Sequence, residues 1–167
     1  INSDISNKNK ITKILKKKKF QILIHLASLT DVEESMLKSK KYINNNFIKS
    51  KIFFEICQKF KLKNIIFSST AAVYANSKKG IVSENSKVKP ISPYGKSKQL
   101  FENYLRKKKN IKYVILRYFN VAGSDIRNQS GPVHQKTLFK KLSKVILKKM
   151  LILNYTAIII IQMTDLL

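Results

Sequence analysis

The sequence predicts an α/β fold in which a parallel sheet is flanked by helices. Three observations carry that expectation. Residues 21–26, 64–69 and 112–119 are short apolar runs, the pattern of strands covered on both faces. Helical patterns separate them, and one has a clear start, with Ser92 placed to cap and Pro93 at the first helical position. Strand, helix, strand, helix, strand is the order of a parallel sheet with right-handed crossovers.

Taken in order, residues 2–5 read as the tail of an earlier strand. The lysines at 16–19 read as a solvated helix end before the 21–26 strand. That basic flank and apolar run superficially copy a signal peptide, but His25 interrupts the run and no small-residue cleavage site closes it. His25 reads as a hydrogen-bonded structural histidine. Next comes a long helix on which Ile48, Ile52, Ile56 and Phe60 recur every four residues, with Phe53 and Cys57 alongside and Lys49, Lys51, Lys59 and Lys61 on the remaining surface. After the 64–69 strand, residues 94–109 continue the Ser92-Pro93 helix, and 112–119 return to the sheet. Residues 137–150 place Leu138, Leu142, Val145 and Ile146 on one side, as a sheet-covering helix would. The 151–167 stretch has 12 apolar residues of 17. It falls short of the roughly 20 a membrane span needs, and Asn154, Gln162 and Asp165 break it up.

A chain of 167 residues suits one domain with a core of its own. Its one cysteine, Cys57, excludes an intrachain disulfide and a cysteine-clustered zinc site, and no metal is expected. The net charge of +25 raises the question of a polyanion partner. Its make-up argues otherwise: 31 lysines stand against 3 arginines, with 23 isoleucines, 14 asparagines and no tryptophan. These are residues of A/T-rich codons, and a phosphate reader would favour the arginine fork. Coding bias accounts for the excess, and neither a specific nucleic acid nor a membrane is expected as a partner.

Ligands of open parallel sheets sit at the carboxyl ends of the strands. There Tyr94-Gly95-Lys96-Ser97-Lys98 opens a helix, and Ser68-Ser69-Thr70 ends the preceding strand. A Tyr and a Lys four apart share one helical face. A free tyrosine has a pKa of about 10, so base chemistry near neutrality needs a drop of roughly three units, about 4 kcal/mol. A nearby ammonium supplies part of it by stabilising the phenolate, and the Thr70 hydroxyl could bridge phenol and substrate.

Six segments in order carry a resemblance: Ser3-Asp4-Ile5, Ile24-His25-Leu26-Ala27, Tyr42-Ile43-Asn44-Asn45-Asn46, Ile66 through Tyr74, Ser92 through Lys98, and Leu116 through Gly123. In these the sequence resembles the extended short-chain dehydrogenase/reductase family, on its branch of NAD-dependent sugar-nucleotide 4-epimerases. The resemblance covers roughly residues 3–124 and continues loosely over 131–150. It implies a partial Rossmann-like, doubly wound parallel sheet with NAD as cofactor. Dehydratases of this family carry an acidic residue after the active-site Thr or Ser. Here Ala71-Ala72 follows Thr70, which points to epimerisation.

The resemblance implies interconversion of UDP-glucose and UDP-galactose by transient oxidation at sugar C4. Tyr94 would take the 4-hydroxyl proton, Lys98 would hold the nicotinamide ribose and lower the tyrosine pKa, and Thr70 would complete the proton path. Asp4 and Ile5 match adenine contacts. Leu26, Ala27, Ser28, Leu29, Thr30, Asn46 and Phe119 match positions around the rest of the cofactor, and Asn120 matches a contact to the sugar nucleotide. The UDP-sugar would be the partner of a cytoplasmic enzyme that is a homodimer at full length. Another epimerase or reductase of the family, or a catalytically dead basic remnant, is the alternative.

The departures from the family pattern are equally specific. The only glycines are Gly80, Gly95, Gly123 and Gly131, and none precedes Asp4, so the glycine turn that meets a dinucleotide pyrophosphate is not in the sequence. Thr30 and Ala75 replace a lysine and a glycine usual in the epimerases. With Ile1 as the first residue, the expectation is a fragment: residues 1–150 as a partial NAD-binding domain carrying the catalytic segment, and 151–167 as an aberrant or truncated tail. Such a chain alone is expected to be inactive.

Overall fold

The computed structural model describes residues 2–74, 80–121, 123, 127 and 142. The 137–150 stretch, apart from Leu142, and the 151–167 tail lie outside the described residues. The chain divides into two compact units, one of Ile1–Ala75 with Ser86–Phe119 and one of Asn76–Asn85 with Asn120–Leu167. The first holds every described helix and strand except the single helical residue Leu142.

In that unit α1 spans Lys8–Lys17 and β1 spans Ile22–His25. Then α2 covers Val32–Leu37, and a continuous helix follows as α3 (Ser39–Ile43), a π-helical stretch (Asn44–Lys49) and α4 (Ser50–Lys59). Next are β2 (Asn64–Thr70), a 3-10 turn (Ala71–Val73), α5 (Pro93–Arg106) and β3 (Lys112–Tyr118). The sheet runs β1-β2-β3, all parallel, with Ile24 beside Ile66, Ile66 beside Val114, and Thr70 beside Tyr118. Residues 2–5 form coil and the start of a turn, not the strand tail expected. Asp4 instead closes that turn, with its carboxylate accepting from the Ser6 N–H and hydroxyl.

The helix starts follow local chemistry. Asn7 caps α1 through the Lys10 N–H, Asp31 caps α2 through the Glu34 N–H, and Ser92 caps α5 through the Gly95 N–H. Glu33 and Glu34 at the start of α2, and Lys16 and Lys17 at the end of α1, match the helix dipole. Neither α1 nor α2 is an element that the sequence pattern announces. The sequence reading recognised only the basic end of the first.

The core lies on one side of the sheet, where Phe54 of α4, Ile65 and Phe67 of β2, and Phe101 and Leu105 of α5 pack together. Phe67 and Phe101 stand 4.7 Å apart ring to ring, and Phe54 meets Phe101 edge-on. Each such side chain contributes about 1.5–3 kcal/mol on full burial. Among the described residues, Ile22 and Ile24 of β1 and Val114 of β3 remain exposed on the opposite face of the sheet.

The buried face of the long helix also differs from the expected one. Ile48 is exposed, Ile52 and Phe60 are half-buried, and only Ile56 of that set is buried. Tyr42, Asn46, Ser50 and Phe54 face inward instead, with Cys57. The π-helical stretch gives wider turns, and it carries a second row of residues spaced by four into the interior, two of them polar. Those polar groups serve the strand ends.

Candidate active site

Tyr94 sits in the first turn of α5, and Thr70 is the last residue of β2, where its hydroxyl caps the 3-10 turn by accepting from the Ala72 N–H at 3.2 Å. Both side chains are buried. The Thr70 hydroxyl lies on the side of the Tyr94 phenol and favours its ionised form. This close approach depends on Gly95, where a Cβ would lie 2.3 Å from the Ala72 carbonyl oxygen. The glycine is there for space, so that the helix start can rest on the turn beyond Thr70.

Lys98, one helical turn on, is buried as well. Its Nζ donates to the Ser68 carbonyl at 2.8 Å and lies 5.1 Å above the Phe67 ring and 6.0 Å from the Tyr94 ring centre. Burial pushes the ammonium down to about 8, so it still carries its charge at neutral pH. Burial also raises the Tyr94 phenol above its ordinary value, and the Thr70 hydroxyl works in the opposite direction. The Lys98 ammonium is anchored on the Ser68 carbonyl and not on the phenol, so it would act on Tyr94 through its charge alone. Thr70 is the group that favours the phenolate.

His25 lies beneath this cluster. Its Nε2 is 2.8 Å from the Ser50 hydroxyl, and its ring packs among Phe53, Phe67 and Phe101. Burial, and then the charge of Lys98, push its pKa down to about 4. A buried neutral imidazole satisfied by Ser50 is a structural group, as the sequence suggested.

The loop after β1 carries Leu26, Ala27, Ser28, Leu29 and Thr30 at the carboxyl edge of the sheet, with Leu26 63% exposed. Asn46 accepts the Leu29 N–H at 2.8 Å and donates both to the Leu29 carbonyl, at 2.9 Å, and to the Ser97 hydroxyl, at 3.1 Å. Ser97 in turn donates to the Tyr94 carbonyl at 2.6 Å. Asn46 is therefore buried and fully engaged by protein, and it fixes the loop to the tyrosine helix where a direct ligand contact had been expected. Asp4 is held by Lys49 of the π-helical stretch at 2.5 Å, which keeps its carboxyl below the usual range. Ile5, next to it, lies half-buried in the turn. Phe119 follows β3 immediately beyond Tyr118, the β3 neighbour of Thr70. Asn120 is exposed and belongs to the second unit.

A second group escaped the sequence reading. Glu102, in the same row of α5 as Tyr94 and Lys98, is 1% exposed and binds Ser69 and Arg117. Arg117 also donates to the Tyr74 phenol at 2.9 Å. The available signal was compositional: an acid in an otherwise buried stripe of a chain with 9 acids, and one of only 3 arginines.

The donor set suits the nicotinamide-ribose end of a dinucleotide. Lys98 carries three N–H donors, of which Ser68 takes one, beside a phenol and a hydroxyl at the strand edge. For the pyrophosphate end the described residues offer no glycine cradle: Gly80 and Gly123 face open space and Gly95 meets the Ala72 carbonyl. A cavity of about 760 Å³ lies at the amino ends of the strands, lined by Lys61, Lys63 and Lys112 among others, and holds none of these candidate residues.

The family described as "NAD dependent epimerase/dehydratase family" matches this chain over residues 1–157. The chain belongs to that family. A UDP-glucose 4-epimerase of Lactobacillus helveticus is 35% identical over 134 residues, covering 78% of this chain and 41% of that protein. A crystal structure of a UDP-glucose 4-epimerase superposes with a TM-score of 0.82 at 30% identity, over 89% of this chain and 47% of that one. The UDP-glucose 4-epimerase of Bifidobacterium longum, solved in complex with NAD+ and UDP, gives a TM-score of 0.71 at 30% identity, over 74% of this chain and 38% of that one. The chain thus spans under half the length of each. The fold is the Rossmann-like one expected, and NAD is the cofactor of the epimerase/dehydratase family. Among the described residues no helix is long and apolar enough to cross a membrane.

Proposed function

We propose that this chain carries the catalytic segment of an NAD-dependent UDP-hexose 4-epimerase that interconverts UDP-glucose and UDP-galactose. The observation that carries the reading is the meeting of Tyr94, Thr70 and Lys98 at the carboxyl edge of the sheet, with Ala71-Ala72 where a dehydratase would need an acid. Lys98 and the Leu26–Thr30 backbone would hold the cofactor, with Asp4, Ile5 and Phe119 around it and Asn46 holding the loop from below. When bound, NAD supplies reversible hydride chemistry at sugar C4.

The Tyr94 oxygen holds the proton of the sugar 4-hydroxyl while C4 is oxidised and returns it when C4 is reduced on the other face. Thr70 donates to that oxygen, which stabilises the phenolate form and aims it. Lys98 keeps a positive charge beside the phenol. With no carboxylate or imidazole next to Thr70, the carbons flanking C4 have no acid or base to act on them, and elimination is not supported.

Residues 1–150 would be the partial NAD-binding domain, and 151–167 a tail of no assigned role. The complete protein would be a cytoplasmic homodimer of galactose metabolism, with a UDP-sugar as partner and neither nucleic acid nor membrane. The test joins this chain to the parts of the Lactobacillus helveticus relative that lie outside the matched region. The product should convert UDP-galactose to UDP-glucose in the presence of NAD. Release of a dehydrated 4-keto sugar instead would replace the epimerase reading with a dehydratase one.

A further inference from the structure

We propose that Arg117 and Glu102 are positioning residues for the Thr70–Tyr94 pair, locking the segment that presents Thr70 onto the helix that presents Tyr94. The inference rests on the Tyr94 reading for its bearing on function, but its test does not need turnover.

The geometry is closed from three sides. Ser69 of β2 and Arg117 of β3 are register neighbours across the sheet. Glu102 reaches both from α5: it accepts the Ser69 hydroxyl at 2.5 Å and a two-armed grip from Arg117, at 3.0 Å from Nε and 2.7 Å from Nη2. The remaining arm of Arg117 donates to the Tyr74 phenol at 2.9 Å, and its guanidinium carbon lies 4.8 Å from the centre of that ring. Arg117 therefore holds the Tyr74 end of the stretch 69–74 directly and the Ser69 end through Glu102. Thr70 and the Ala72 carbonyl, on which Gly95 rests, lie between those ends.

The chemistry of the side chains fits this task. Burial would raise the Glu102 carboxyl, but the hydrogen bonds from Arg117 and Ser69 hold it below its ordinary value, so it stays ionised and anchors Arg117. A lysine offers a point charge and cannot make two parallel bonds to a carboxylate while also reaching a phenol. In a chain with 31 lysines, an arginine stands at this position. Arg106 also approaches Glu102, at 3.4 Å, but its side chain is half exposed and ties no strand to the helix. Glu102, Lys98 and Tyr94 follow one another at four-residue spacing, so fixing Glu102 against β2 and β3 fixes the rotation of the helix face carrying the phenol. A shift of a few tenths of an ångström there would change how the Thr70 hydroxyl meets the Tyr94 phenol.

The test labels the tyrosine ring carbon that bears the hydroxyl with 13C. The Tyr94 resonance is assigned by its loss in Tyr94→Phe, and its shift reports what the phenol oxygen bonds. Thr70→Val should displace that resonance. Arg117→Lys should displace it in the same direction, and adding Thr70→Val to Arg117→Lys should move it no further, because the Thr70 hydroxyl no longer meets the phenol. Tyr74→Phe keeps the Glu102–Arg117 pair and removes only the last anchor, so it should give a smaller displacement of the same sign in a folded protein. A full Thr70→Val displacement on top of Arg117→Lys overturns the proposal. If Arg117→Lys does not fold, an unchanged Tyr94 resonance in Tyr74→Phe does so. Failure of the completed protein to epimerise, with these couplings present, would instead remove the catalytic reading and leave the positioning intact.

Discussion

Asn46 and Leu29 are joined by a pair of hydrogen bonds, amide oxygen to Leu29 N–H at 2.8 Å and amide nitrogen to Leu29 carbonyl at 2.9 Å. The buried side chain thus acts as an extra strand partner for one residue of the loop after β1. Asn46→Asp keeps the acceptor and loses both donors, leaving the Leu29 carbonyl facing a carboxylate. A loss of about 2–3 kcal/mol in urea unfolding at pH 7 is expected. Hydrogen exchange should show the Leu29 amide still protected in Asn46→Asp and unprotected in Asn46→Leu.

Gly95 touches the turn after Thr70 so closely that a methyl group cannot be added without moving backbone, since its Cβ would sit 2.3 Å from the Ala72 oxygen. Gly95→Ala should lower stability by about 3 kcal/mol despite the better helix propensity of alanine. Unfolding midpoints of the two proteins give the sign directly. A stabilised Gly95→Ala variant would mean that the helix does not rest on that turn.

The pKa of His25 is pushed down to about 4 from an ordinary 6.5. The unfolded chain therefore binds the extra proton first as pH falls. Stability from keeping the imidazole neutral is intact above pH 6.5 and is lost progressively toward pH 4, by about 3 kcal/mol in total. Unfolding free energies of the wild type and His25→Gln across that window should converge as acid is added, because only the wild type carries this loss. Parallel curves would contradict the burial argument.

Lys98 behaves oppositely in charge and alike in sign. Its folded value of about 8 lies below the ordinary 10.5, so folding with a charged Lys98 is penalised fully below pH 8 and less and less up to 10.5. Lys98→Met should therefore be more stable than the wild type at pH 7, by about 1–3 kcal/mol once the lost bond to Ser68 is allowed for. The advantage should shrink as pH rises from 8 toward 10. A variant less stable than wild type at pH 7 would show that the ammonium is better solvated than its surroundings imply.

The three strands and α5 were legible because their signals are local: apolar runs of strand length, and a serine cap followed by proline. The Tyr94–Lys98 spacing was equally readable, since a helix turns i and i+4 to one side whatever surrounds it. The inward face of the long helix was not. Ile48, Ile52, Ile56 and Phe60 form the more apolar row, yet Asn46 and Ser50 turn inward because the Leu29 loop and His25 need partners there. The first helix buries no residue, and its short apolar stripe of Ile11, Ile14 and Leu15 is set among six lysines at 8, 10, 13, 16, 17 and 18. The Ser69–Glu102–Arg117–Tyr74 group joins residues up to 48 positions apart (117 − 69), brought together by sheet register, and no sequence window contains it.

The most direct measurement is the epimerisation rate of the completed protein with Tyr94→Phe, alongside NAD binding by the same variant. Removing one hydroxyl leaves Lys98, the loop and the packing in place, so NAD should bind as in the wild type. The rate should fall by about 100- to 10,000-fold, the usual contribution of a positioned base. An unchanged rate with intact NAD binding would show that the proton is handled elsewhere, and that the Tyr94–Thr70 pair is not the catalytic centre.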